Sequence, residues 1–137
     1  MKNELISTIK VDKPIQDVCQ HWINPESIKV WNVPFDTWHC PMVENDVKNG
    51  GAFNFRMENA STKEGFNYTG VYEHIIPFES IVSKGDDGRK NKVAFQALGN
   101  ATIICETFEP DTETAIEMQQ KFTDAILLNF KKFMERL

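Results

Sequence analysis

Asp46-Val-Lys-Asn-Gly-Gly-Ala-Phe-Asn-Phe-Arg-Met-Glu58 is the stretch whose reading decides the fold. A turn rich in Asn and Gly feeds a run in which Phe53, Phe55 and Met57 alternate with Asn54, Arg56 and Glu58. That period of two marks a strand with one buried face. A second strand follows, Phe66-Asn-Tyr-Thr-Gly-Val-Tyr-Glu-His-Ile-Ile76, closed by Pro77. Gly50 and Gly51 let the backbone turn through positive φ, and no helix follows them to make a phosphate cradle. Gly70, inside the second strand, marks a bend or a close approach, as a curved sheet needs.

Outward from this pair, strand and turn signals recur. Ile81-Val-Ser83, a turn at Gly85-Asp-Asp-Gly88, Lys92 to Leu98, a tight Gly99-Asn100 connection and Ala101 to Phe108 read as a meandering antiparallel sheet. Towards the amino terminus, Glu4 to Val11 reads as an edge strand. Asp12 can cap a helix with Pro14 in its first turn, and Ile15, Val18, Cys19 and Trp22 then share one face. Asn24-Pro25 repeats the cap-plus-proline device for a second short helix through Ile28 to Trp31. Helices this short need a surface to lie on, and the sheet is that surface. Val33 to Val43, bracketed by Pro34 and Pro41, reads as a short irregular strand. After Pro110, Thr114 and Glu117 suggest a capping box for a helix to about Arg136. Its apolar residues, from Met118 through Phe122, Ile126, Leu127 and Phe130 to Met134, cover a broad arc that calls for a large concave partner.

Bulk properties narrow the function. The 137 residues are the length of one domain, expected to span 1–137 without a linker or repeat. Ten Phe run from Phe35 to Phe133, and each is worth about 1.5–3 kcal/mol when buried. Fifteen basic against twenty acidic residues, with no basic stripe, argue against nucleic acid or an anionic membrane surface. No segment approaches eighteen uninterrupted apolar residues and the first residues lack a signal-type apolar run, so the expectation is a cytoplasmic protein without membrane insertion. Cys19, Cys40 and Cys105 are odd in number and widely spaced, which fits small apolar fillers in a reducing compartment.

Chemistry-bearing motifs are absent. His21, His39 and His74 have no metal-ligand spacing, and no nucleophile elbow, phosphate loop or dinucleotide fingerprint occurs. No catalytic residue, metal ligand or cofactor is assigned. Asp36, His39, Arg56 and Glu106 are polar groups that could reach a cavity, although each reads first as a solvated or hydrogen-bonded surface group.

An amino-terminal strand, two short helices, a run of antiparallel strands and one long last helix is the order of the α+β helix-grip fold. With Asp46, Gly50-Gly51, Phe53-x-Phe55-x-Met57, Gly70-x-Tyr72-Glu73-x-Ile75-x-Pro77, Ile81, Thr102-to-Phe108 and Ile126-to-Phe133, the chain resembles the START-like (SRPBCC) superfamily. Within it, the chain is most similar to the group named for homology to the activator of heat-shock protein 90 ATPase. The resemblance implies a curved antiparallel sheet wrapped around the last helix, with a hydrophobic cavity between them. Many members carry a Gly-Trp pair early in that helix; Lys121-Phe122 stands there in this chain, implying a reshaped cavity end. The function implied is binding of a small hydrophobic or aromatic ligand or a lipid. Candidate lining residues, chosen by strand alternation and helix face, are Trp31, Phe35, Trp38, Phe53, Phe55, Tyr68, Phe95, Phe122, Ile126 and Phe130. Two alternatives come with the resemblance. One is a co-chaperone-like module with a chaperone partner, though the extra amino-terminal domain of the eukaryotic activator has no counterpart in this sequence. The other is a cyclase- or aromatase-like enzyme. The ten Phe raise a third outcome, a cavity filled by the chain itself.

Overall fold

The computed structural model describes residues 3–137. Strand β1 (Leu5–Val11) is followed by helices α1 (Ile15–Ile23) and α2 (Pro25–Trp31). Six strands come next: β2 (Trp38–Asn45), β3 (Ala52–Asn59), β4 (Gly65–Ile76), β5 (Ser80–Gly85), β6 (Lys90–Leu98) and β7 (Ala101–Phe108). Helix α3 (Ile116–Glu135) closes the chain. The strands form one antiparallel sheet in the order β1-β7-β6-β5-β4-β3-β2, so β1 and β2 are its edges and α1 and α2 bridge them. The sheet curls into a half-barrel around α3, the helix-grip arrangement expected from the order of elements.

Two kinds of local device permit the curl. Register shifts interrupt β2 between His39 and Met42 and β4 between Tyr72 and His74; an extra residue on one strand bends it and adds twist. At Gly70 the backbones approach so closely that a Cβ would lie 2.4 Å from the Lys84 carbonyl oxygen and 2.7 Å from Phe53 Cζ. Only hydrogen fits there.

Several sequence expectations change in detail. Asn24 does cap α2, accepting from the Glu26 and Ser27 N–H groups at 2.9 and 3.1 Å. Asp12 does not cap α1; that helix starts after Pro14, which sits in extended backbone, and the Asp12 N–H donates instead to Glu135 Oε2 at 2.9 Å. The Thr114–Glu117 capping box is also absent. Asp111 Oδ1 captures the Glu113 and Thr114 N–H groups at 3.0 and 2.7 Å, and α3 begins only after Ala115. The irregular strand starts later than Val33, at Trp38, because 33–37 form the loop between α2 and the sheet edge.

The core fills one end of the grip. Val11, Val18, Ile28, Trp31, Val93, Phe95, Ile104, Leu127, Phe130 and Met134 form its buried cluster, with Ile15, Cys19 and Trp22 of the expected α1 face packed against it. Trp22 and Trp31 stack at 4.6 Å, and Phe130 meets both edge-on at 5.0 and 4.9 Å. The three cysteines are free, and burial pushes the Cys19 thiol up to about 11, as a packed filler requires.

Candidate functional site

The inward positions of each strand follow from alternation. They are Phe53, Phe55 and Met57 on β3; Phe66, Tyr68, Gly70 and Tyr72 on β4; Ile81 and Ser83 on β5; Asn91, Val93 and Phe95 on β6; Thr102, Ile104, Glu106 and Phe108 on β7. Beyond the core, at the end where β3 turns into β4 and β5 into β6, these side chains do not meet α3. They leave a cavity of about 470 Å³.

One side of the cavity is aromatic. Phe53 sits within 5.1–5.4 Å, centroid to centroid, of the Phe55, Tyr68 and Tyr72 rings. Trp38, at the start of β2, meets Phe66 edge-on at 5.8 Å and Phe122 of α3 at 6.0 Å. Met118 and Ile126 extend the helix side of the wall. Tyr68, 36 % exposed, is also among the residues that line the cavity. Burial of its hydroxyl, with the Glu106 carboxylate as the next cause, raises its pKa well above the ordinary phenol value.

The other side, under β6 and β7, is polar. Glu106 Oε2 accepts a 2.7 Å hydrogen bond from Asn91 Nδ2, and Ser83 lies next to Asn91 in the strand register. Burial raises the Glu106 pKa, and the Asn91 bond offsets part of that rise. At the rim, Arg89 Nε binds Asp87 at 2.7 Å and Lys90 Nζ binds Glu73 at 3.2 Å. Among the described residues no group of three or more His, Cys, Asp or Glu is placed to hold a metal ion.

Seven of the ten expected lining residues border this cavity: Trp31, Trp38, Phe53, Phe55, Tyr68, Phe122 and Ile126. Three do not. Phe95 and Phe130 face inward but lie too far towards the other end, in the packed core, and Phe35 is 43 % exposed in the loop before β2. Glu106 reverses the surface reading given to it. It has the same strand parity as Thr102, Ile104 and Phe108, a signal present in the sequence, and it lines the cavity. His39 and Arg56 stay on the outside, both bound to Glu58, at 3.2 and 2.9 Å; Asp36 is exposed. Phe95 and Phe130 fill the core end, while Phe53, Phe55, Phe66, Phe108 and Phe122 line the cavity without closing it.

The comparisons with known proteins agree with this geometry. The profile of the family described as Activator of Hsp90 ATPase homolog 1-like protein matches residues 12–132. The solution structure of the AHSA1-like protein of Aeromonas hydrophila is similar at 28 % identity and a TM-score of 0.86, over 96 % of this chain and 93 % of that one. Chr148 of Cytophaga hutchinsonii is similar at 32 % identity and a TM-score of 0.84, over 98 % and 93 %. The Aha1 dimer of Colwellia psychrerythraea shares the fold at 16 % identity and a TM-score of 0.76, over 96 % of both chains. No curated protein matches the sequence. The chain belongs to the Activator of Hsp90 ATPase homolog 1-like family of the START-like (SRPBCC) superfamily.

Proposed function

We propose that this protein binds a small hydrophobic or aromatic molecule, or a lipid, in the cavity between β3–β7 and α3. The observation that carries the reading is an aromatic-walled space of about 470 Å³ in a chain with Phe residues to spare. That volume lies within the range of roughly 300–1,000 Å³ usual for small-molecule sites. Phe53, Phe55, Phe122 and Ile126 favour an apolar body on their side of the cavity, and Asn91 and Glu106 offer polar partners on the other. The three free cysteines support the reducing cytoplasm as the place of action, and no helix among the described residues is long and apolar enough to cross a membrane.

The test is an NMR titration of the purified chain with a panel of lipids and flavonoid-like aromatics. The expected result is a set of saturable shifts in the Phe53, Phe55, Tyr68 and Phe122 ring signals and the Met57 and Ile126 methyls. Silence in all of these across the panel overturns the proposal.

A further inference from the structure

We propose that Glu106 selects, among apolar molecules small enough for the cavity, those that carry a hydrogen-bond donor, a hydroxyl or an amine, and turns away those that end in a carboxylate. This rests on the cavity being a binding site.

The carboxyl group has an unused acceptor. Its Oε2 takes the Asn91 amide at 2.7 Å, while Oε1 has no hydrogen-bond partner among the described residues. Nor is Oε1 sealed in protein: the one fully enclosed side-chain polar atom without a partner among the described residues is Asn54 Oδ1, on the opposite face of the sheet. Glu106 Oε1 thus opens onto the cavity that its side chain lines. In its ionised form the Glu106 carboxylate only accepts hydrogen bonds, and the complementary group on a ligand is then a donor. Across the cavity, Phe53, Phe55 and Tyr68 offer ring faces and edges for an apolar body.

Charge points the same way. The groups bordering the cavity include four carboxylates, Asp87, Glu106, Glu109 and Asp111, against two cations, Arg89 and Lys90. Both cations are engaged already, Arg89 with Asp87 at 2.7 Å and Asp111 at 3.9 Å, Lys90 with Glu73 at 3.2 Å. A ligand carboxylate brought here would lose water and meet like charge, with no uncommitted cation among the described lining residues to receive it. A hydroxyl or an ammonium group meets neither obstacle.

Four probes with one ring system test the idea: naphthalene, 2-naphthol, 2-naphthylmethylamine and 2-naphthoate, titrated into the full chain at neutral pH and followed by NMR. The naphthol or the amine is expected to bind at least about tenfold more tightly than naphthalene and naphthoate, since a site that hydrogen-bonds a ligand group discriminates against analogues lacking it. Comparing the two donors separates a neutral hydroxyl from a cation as the preferred head. Glu106→Leu should erase the advantage of the donor probes over naphthalene. In Glu106→Gln the single amide oxygen is taken by Asn91 Nδ2, so an N–H replaces Oε1 at the cavity; the amine should lose its advantage and naphthoate should gain. Equal binding of all four, or a ranking unchanged in both variants, overturns this proposal and leaves the cavity reading standing. Failure of all four, naphthalene included, overturns both.

Discussion

The Tyr72 hydroxyl donates a 2.5 Å hydrogen bond to Asn45 Oδ1, reaching from β4 across β3 to the inner face of β2. Asn45 passes the connection on: its Nδ2 donates to the Ile23 carbonyl at 2.9 Å, at the end of α1. Buried Tyr72 and half-buried Asn45 thus tie the edge of the sheet to the helix that crosses from the other edge. Burial pushes the Tyr72 phenol up to about 12, so the hydroxyl stays a donor over the physiological range. Tyr72→Phe leaves Asn45 Oδ1 without its donor and is expected to cost about 1–2 kcal/mol, read as a lowered urea midpoint at constant slope. An unchanged midpoint would show that the link carries no stability.

Phe130 and Phe35 were both expected at the cavity, and the structure separates them sharply. Phe130 is 0 % exposed between Trp22 and Trp31, whereas Phe35 is 43 % exposed in a loop. Phe130→Ala should therefore destabilise by about 3–5 kcal/mol, and Phe35→Ala by about 0.5 kcal/mol or less. Neither change should abolish binding of a cavity ligand in molecules that remain folded. Chemical denaturation gives the first pair of numbers; similar costs for the two variants would contradict the assignment of Phe130 to the core.

These two residues also show where sequence reading stops. Alternation along β6 and the apolar arc of α3 put Phe95 and Phe130 on the inward face, correctly. A period says which way a side chain points and nothing about how far along the grip it lies. Phe95 is two residues past Val93, and Phe130 one turn past Ile126; Val93 and Ile126 border the cavity, while Phe95 and Phe130 lie in the packed end. Glu106 was the reverse case. Its parity with Ile104 and Phe108 was legible, but a charged residue is usually solvated, and that general tendency outweighed the local pattern. The caps divided on similar grounds: Asn24 had no rival for its N–H groups, whereas Asp111 took the Thr114 N–H before a capping box could form. The order of the elements was readable because strand alternation, turn glycines and proline-led helices each leave a residue-level mark, whereas the bulges of β2 and β4 leave none.

Gly70 offers a direct test of the curl. An added methyl would lie 2.4 Å from the Lys84 carbonyl oxygen and 3.0 Å from Gly85 Cα, both backbone atoms that cannot swing aside. Gly70→Ala should force β4 and β5 apart and cost about 2 kcal/mol or more. By contrast, Gly88 has open space around its absent Cβ but a φ of +89°, so Gly88→Asn, which tolerates that region, should cost well under about 1 kcal/mol. A thermal melt of both variants decides: a larger loss at Gly88 than at Gly70 would mean that the turn, rather than close backbone approach, limits the sheet.

Glu106 makes stability depend on pH in a direction opposite to that of the surface carboxylates. Burial raises its native pKa above the ordinary value of 4.5, so between those two values the folded state holds more protons than the unfolded one. Stability from this group therefore falls as pH rises from the unfolded pKa through the raised native one. Glu58 and Asp111 have lowered pKa values, Glu58 through its Arg56 hydrogen bond and Asp111 through the Thr114 N–H. They contribute stability above the unfolded carboxylate pKa and lose it on acidification. Both effects are present in the wild type, and comparison with Glu106→Gln isolates the first, because the variant keeps the other carboxylates and an acceptor for Asn91. The variant is expected to be more stable than wild type at pH 8, with the advantage shrinking to nothing by pH 4, in urea titrations at the two pH values. A constant difference across that range would mean that the Glu106 carboxyl titrates in the fold as it does in the unfolded chain.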